Sequence, residues 1–355
     1  MFAMTHLPLF RRLLIATMLC ASPHSPSVAG SMPPYHNSDG GVIDKPLGEV
    51  LGWMWQAWRA GVPKPPFTPG PGYAGFPVLR EAQARQPAQA GELSLTWIGH
   101  ATSLLRLNGH TILLDPQFAQ RASPFSWIGP ERKVALPLTL NELPHIDVVA
   151  ISHDHYDHLD LDSVLALSRQ PGGSPLFVTP EGLDTLLRER GIQRVQAVKW
   201  MDKLTLDGLE IYATPARHWS GRGLRDRNQS HWCGWAFRSG DLSAYFTGDT
   251  GYSADFVRIG QALGPFDLAL IPLGAYAPRD FMRDQHINPD EAARIHQDVR
   301  ARHSIGVHWG TFELADDALD APFTEAPLAR QRAGLDETAL RLLRHGETWR
   351  LPTRP

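Results

Sequence analysis

The sequence predicts an α/β protein in which two β-sheets stack face to face and helices cover both outer sides. Three observations carry this. Short apolar runs recur along the chain and are joined by tight turns. Helical stretches fall between these runs in both halves of the chain. Several runs also end on a histidine or an aspartate, the place where open α/β sheets carry their chemistry.

In chain order, residues 94–200 open with the strands LSLTWIG and SLLRLNGHTILLD, the latter turning on Asn108 and Gly109. Residues 204–315 open with KLTLDGLEIYATP, which turns on Asp207 and Gly208. Asn-Gly and Asp-Gly pairs tolerate the positive φ angles that a two-residue hairpin requires. The parallel reads as pseudo-duplication inside one domain of residues 94–355 rather than as two independent domains. Helices are expected over 159–168 and 181–190, and a third from Asn288. There Asn288 caps, Pro289 takes the first helical position, and Asp290 and Glu291 favour the positive end of the helix dipole. Strands mixed with helices in each half give the helix–sheet–sheet–helix layering.

Residues 1–29 read as an export signal, with Arg11 and Arg12 before the apolar run LLIATMLCA and a small-residue cleavage site at SVA. That run is too short to span a bilayer. An exported protein, periplasmic or membrane-associated, is therefore expected; a disordered cytoplasmic tail is the alternative. With the leader removed, Cys233 is left without Cys20 and no internal disulfide forms. Residues 30–93 are rich in Pro, Gly and Ser and read as an irregular lead-in, interrupted by one helix in LGEVLGWMWQAWRAG. Leu51, Met54, Trp55 and Trp58 share a face there, with Trp53 beside them. Such a face either packs on its own domain or, through Trp53, Trp55 and Trp58, meets a membrane surface.

At 355 residues, with 43% hydrophobic and 20% charged side chains, the chain suits a soluble globular fold with a large core. A net charge of -3 supplies no basic field of the kind a nucleic-acid binder needs. Nothing in the pattern specifies an oligomer.

The stretch ISHDHYDHLD places His153, His155, Asp157 and His158 straight after the apolar run IDVVAIS. On an extended segment His153 and His155 project to one side and can grip one cation, while Asp157 and His158, at the start of the next turn, can grip a neighbour. Two cations need further donors. His218 follows the strand-like IYATP, Asp249 sits in the Gly-flanked turn of YFTGDTGY, and His308 follows SIGV. Taken singly, His218 and His308 fit packed core residues beside tryptophans, and Asp249 fits an ordinary turn former. Jointly with the opening motif they form a ligand set.

These motifs, together with WIGHAT, LLDPQF, ASPFSWIGPER, TPARHWSGRGLRDRN, QHINPDEA and VHWGTFEL, resemble the metallo-β-lactamase superfamily of binuclear zinc hydrolases. The likeness is to the branch of N-acyl phosphatidylethanolamine phospholipase D and its bacterial relatives, and it runs over residues 97–314. It implies the metallo-β-lactamase αββα sandwich of two mixed sheets flanked by helices. It also implies two zinc ions, with His153, His155 and His218 on the first, Asp157, His158 and His308 on the second, and Asp249 bridging. Asp115 in LLDP would orient a ligand imidazole through its other ring nitrogen, although a plain turn aspartate fits as well. His286 in QHINP is implied to assist at the phosphate; a loop histidine ahead of the helix cap is the alternative.

The implied activity is phospholipase D-type hydrolysis of a phospholipid phosphodiester by a hydroxide shared between the zincs, with Asp157 or His286 handling the proton. Arg217, Arg222, Arg225 and Arg227 would give a cationic rim for phosphate or carboxylate, or else a solvated loop countered by Asp226. Relatives of the same fold, including the ascorbate-6-phosphate lactonases, open lactones, and the motif does not separate attack at phosphorus from attack at a carbonyl. Di-iron redox members usually carry Glu where His155 stands, and a non-catalytic lipid-binding member has no need of every donor.

Overall fold

The computed structural model describes residues 35–62, 76–223 and 225–352. The expected export signal lies outside the described residues. The first sheet begins as an antiparallel meander, β1 (Leu93–Gly99), β2 (Thr102–Leu107) and β3 (His110–Leu114), to which β4 (Val148–Ala150), β5 (Leu176–Pro180) and β6 (Val195–Val198) add in parallel. The second runs antiparallel through β7 (Lys203–Leu206), β8 (Leu209–Thr214), β9 (Gly234–Ser239) and β10 (Leu242–Phe246). It continues in parallel through β11 (Phe266–Pro272) and β12 (Ala301–Val307). Both expected hairpin turns form, with φ of 47° and 91° at Asn108 and Gly109 and 45° and 84° at Asp207 and Gly208. Each half of the chain thus becomes one mixed sheet. The exception is β13 (Thr348–Arg350), which returns to pair with β1 and covers the edge that strand would expose.

Period-two alternation sorts the first sheet between two cores. Leu105, Leu107, Ile112 and Leu114 face the second sheet, where Trp235, Phe237, Leu268 and Leu270 meet them. Leu104, Leu113, Val149 and Phe177 face outward onto helices α2 (Leu161–Leu167) and α3 (Leu183–Glu189). Helices α4 (Asp255–Ala262) and α6 (Pro289–Asp298) cover the second sheet through Phe256, Ile259, Ala292 and Ile295. Between them lies the short α5 (Arg279–Met282), and α7 (Pro322–Ala333) packs beside α6. The Asn288 side chain accepts from Glu291 N at 2.9 Å while Glu291 accepts from Asn288 N at 3.0 Å, a capping box that fixes the start of α6.

The tryptophan helix α1 spans Leu47–Ala60, and its packing corrects the expected face. Val50, Met54 and Ala57 are the buried stripe. Val50 and Met54 pack on Ala275, Phe281, Met282 and Ala315, and Trp53 stacks on Phe281 with centroids 5.1 Å apart. Leu51, Trp55 and Trp58 point outward, at 44%, 55% and 45% exposure. Both triplets repeat at i, i+4, i+7, so periodicity alone does not choose between them.

The rest of the described lead-in is tied to the domain by hydrogen bonds and ring packing, and Phe76 joins the main core. Buried Arg106 donates to the carbonyls of Gln83, Ala84 and Gln86, and Tyr35 packs its ring on His231. Among the described residues no helix is long and apolar enough to cross a membrane.

Candidate metal centre

The ligand candidates gather at one edge of the sandwich, where β1, β3, β4, β8, β10 and β12 end. Three strands release a non-glycine residue into the left-handed region there: His100 after β1 (φ 53°), Asp115 after β3 (φ 40°) and His308 after β12 (φ 61°). Such conformations persist where the surroundings over-determine them, and they cluster at functional sites. Gly248, before Asp249, has φ 63°, and a Cβ there would meet the Cys233 carbonyl at 2.6 Å, so only glycine lets the turn close against β9.

Asp115 organises the loop after β4. Its Oδ1 accepts from Ser152 N at 2.7 Å, and its Oδ2 accepts from Ser152 Oγ at 2.7 Å and from His158 Nδ1 at 2.6 Å. With Nδ1 so engaged, His158 turns Nε2 inward, 3.1 Å from Asp249 Oδ2 and 3.4 Å from Asp157 Oδ2. His308 Nε2 lies 3.0 Å from the same Asp249 oxygen and 3.3 Å from Asp157 Oδ2. On the other side, His155 Nδ1 is 2.8 Å from His153 Nε2 and 3.3 Å from His218 Nε2. His218 donates its Nδ1–H to the Gln285 carbonyl at 3.0 Å, which aims Nε2 at this trio. Asp249 Oδ2 is 4.0 Å from His218 Nε2 and 3.8 Å from His286 Nδ1. The structure therefore brings His153, His155, Asp157, His158, His218, Asp249, His286 and His308 together, with Asp115 directly behind.

This donor set suits metal ions. Nδ1 of His286 is buried without a hydrogen-bond partner, and Nε2 of His158 and of His308 approach Asp249 Oδ2 at 3.1 and 3.0 Å without the alignment of a regular hydrogen bond. Buried polar atoms are rarely left so. Facing imidazole lone pairs at about 3 Å repel unless a proton or cation lies between them. Burial, then the neighbouring imidazoles, push His153 and His155 well down, and burial holds His218 at about 4, so all three are in the neutral form that ligates. At His158 and His308 burial is outweighed by Asp249 and Asp157, so His158 is raised well above the usual histidine value and His308 to about 9. The two carboxylates thus demand positive charge, which bound protons or metal ions can supply.

Two residues of this site had no place in the sequence reading. The His100 side chain lies 2.9 Å from Asp157 through Nε2, with its ring 3.9 Å from that of His308. The available signal was the one that marked His308, a histidine directly after an apolar strand. Asn37, in the lead-in, accepts the backbone N–H of His218 at 2.9 Å and that of the Trp232 indole at 3.2 Å. No spacing connects it to the cluster.

The arginine rim needs correction. Arg217 is paired with Asp39. Arg222 lies over the Tyr156 ring at 3.9 Å and donates to the carbonyls of Asp154 and Leu159, lining a separate polar groove. Arg227 lies over Trp219 at 4.0 Å and donates to Ile43 O. Arg225 is exposed. None of the four lines the metal cleft, because loop carbonyls, aromatic faces and Asp39 take up three of the guanidinium groups. Besides the ligands and His286, the cleft walls include Ala122, Pro130, Trp219, Ala275, Met282 and Leu314.

This architecture and donor cluster define a metal-dependent hydrolase of the metallo-β-lactamase kind. Residues 110–309 match the family model of the beta-lactamase superfamily domain, and the chain belongs to that superfamily. It is 41% identical over 269 residues to N-acyl-phosphatidylethanolamine-hydrolyzing phospholipase D 1 of Caenorhabditis elegans, covering 72% of this chain and 75% of that one. A metal-dependent hydrolase of Pyrobaculum neutrophilum is 29% identical over 225 residues, covering 62% of this chain and 86% of its own. The solved metallo hydrolase Igni18 of Ignicoccus hospitalis shares the fold, with a TM-score of 0.57 and 24% identity over 74% of this chain and all of that one.

Proposed function

We propose that the protein is a binuclear zinc phosphodiesterase of phospholipase D type, acting on N-acyl phosphatidylethanolamine-like or other phospholipid phosphodiesters. The observation that carries this is the position of Asp249 Oδ2, within 3.0 to 4.0 Å of nitrogens from His308, His158 and His218, so that one carboxylate addresses both ligand groups. His153, His155 and His218 would hold one ion; Asp157, His158 and His308 would hold the other. A histidine-dominated set completed by carboxylates suits zinc. Bound zinc supplies Lewis acidity and a water acidic enough to attack at neutral pH.

The chain's own groups do the rest. His286, kept neutral by burial that holds it at about 3, turns an unpartnered Nδ1 toward the cluster and can bond a phosphoryl oxygen, or take up the proton released by the attacking water and return it to the departing alcohol. Asp157 is the other candidate for that proton. The apolar walls exclude water from the lipid portion of the substrate.

Peripheral membrane contact belongs to the same reading. Trp55 and Trp58 stand on the outer face of the helix that backs the cleft residues Met282 and Ala275, and Phe125 and Trp127, 46% and 72% exposed, lie in the loop between the cleft residues Ala122 and Pro130. Exposed aromatic side chains in two segments that help wall the cleft suit the interfacial zone of a bilayer. Trp53, stacked on Phe281, takes no part.

The test is metal analysis followed by a substrate panel: vesicles of N-acyl phosphatidylethanolamine, bis(p-nitrophenyl) phosphate and simple lactones, each with and without chelator. Two zincs per chain and chelator-sensitive release of N-acylethanolamine are expected. Lactone opening with both phosphodiesters left intact would replace the reading with a lactonase, and bound iron would replace it with a redox role.

A further inference from the structure

We infer that His100 is a positioning residue of the metal centre, its Nε2–H donating to Asp157 Oδ2 and holding that carboxylate in the orientation the second cation requires. The inference rests on the two-metal reading and adds a residue outside the seven-ligand set. The contact is 2.9 Å, and His100 Nδ1 is buried without a partner, so the ring proton sits on Nε2, where an ionised carboxylate accepts it.

The ring is not free to turn away. It lies 3.9 Å from the His308 ring and 5.2 Å, edge to face, from Phe312. Its backbone is pinned on both sides: His100 N donates to Thr311 Oγ1 at 2.8 Å, and its carbonyl accepts from the Trp97 indole at 2.8 Å and from His308 N at 2.9 Å. One residue therefore fixes the backbone of one ligand of the second cation and the side chain of another. It does so where the end of β1 meets the end of β12, from opposite sheets. The left-handed backbone at His100, shared with Asp115 and His308, fits a residue held in place for the site.

The rival is that His100 is itself a ligand, since its donor atom lies within 4.8 Å of those of Asp157, His158 and His308. A nitrogen whose proton is given to Asp157 has no lone pair for a metal. The two cases separate experimentally.

The full chain is loaded with zinc or cobalt, and stepwise affinities are measured against a competing chromophoric chelator for wild type, His100→Ala, His100→Gln and His100→Asn. A glutamine amide reaches the place of Nε2–H; an asparagine amide falls short. In His100→Ala and His100→Asn the second-ion affinity should fall roughly 10–100-fold with the first unchanged, and kcat should fall with it while KM holds. His100→Gln should recover most of both. If alanine does not fold, the glutamine–asparagine pair carries the same comparison. Unchanged second-ion affinity in the asparagine variant, whatever its melting temperature, overturns the inference. So does an altered cobalt d–d spectrum in His100→Gln without rescue, which would make His100 a ligand. A wild-type chain that takes up fewer than two ions would instead remove the two-metal reading itself.

Discussion

The four candidate ligands in the loop after β4 and the three that arrive as His218, Asp249 and His308 are held by different kinds of structure. The first group is local. Asp115 clamps Ser152 and His158 with one carboxylate, and the His155 carbonyl accepts from His158 N and Leu159 N, closing the turn. The second group is set by topology. β8, β10 and β12 are not neighbours in the sheet order β12-β11-β10-β9-β8-β7, so their end residues reach the loop only when the whole second sheet is stacked on the first. On the two-ion reading, Asp249 is the one member that reaches both ligand groups, so its loss would be felt at both ion positions, whereas loss of a single histidine of the local group would be felt at one.

The strongest test of that contrast is Asp249→Asn against His155→Ala. Removing the carboxylate that both ligand groups reach should strip metal from both positions and lower turnover by more than the ~10–100-fold that loss of an outer-sphere partner costs. His155→Ala should lose one ion and retain the other; metal content after gel filtration reads both. If Asp249→Asn kept two ions and full turnover, the contrast and the bridging role would fall together.

Asp115→Asn comes next. An amide cannot accept from Ser152 N, Ser152 Oγ and His158 Nδ1 together, so metal affinity should drop about 10–100-fold, measurable by chelator competition.

A pH effect on stability is expected at His345. His345 is buried against Trp97 and Thr311, and burial holds its ring at about 3 against an ordinary 6.5. The unfolded chain takes up a proton below about 6.5 that the folded chain refuses, so this contribution is complete above that pH and is lost as pH falls toward 3. The slope is about 1.4 kcal/mol per pH unit. Denaturant melts of metal-free His345→Gln between pH 7 and 4 should be flatter than wild type by that amount; equal slopes would refute it.

The smallest structural effect is expected at Trp55→Ser/Trp58→Ser. These exposed side chains should change stability by no more than about 0.5 kcal/mol. Vesicle binding in a sedimentation assay should weaken several-fold, with bis(p-nitrophenyl) phosphate turnover unchanged.

The same contrast decides what the sequence makes legible. His153 to His158 are visible because their spacing is itself the geometry. His218, Asp249 and His308 are visible because each comes within a few residues of the end of an apolar run that becomes a strand. The two-sheet layering is visible in the two hairpin turns, whose residues allow little else. Asn37 is invisible because its contact spans 181 positions and depends on the lead-in folding back over the loop of His218. The arginines mislead because charge density shows in a sequence while pairing does not: Asp39, which neutralises Arg217, lies 178 positions away. The tryptophan helix misleads for a third reason, having two apolar stripes of equal period of which tertiary packing selects one.

The parallel placement of β12 beside β11, which delivers His308 to the cluster, also sets a schedule. A ribosome has to emit β1 to β12 before the final donor exists, so the nascent chain must build most of its sandwich with an unfinished cluster. Completion of the cluster then comes late in the molecule's life, as a seal on a finished shape rather than a seed for it.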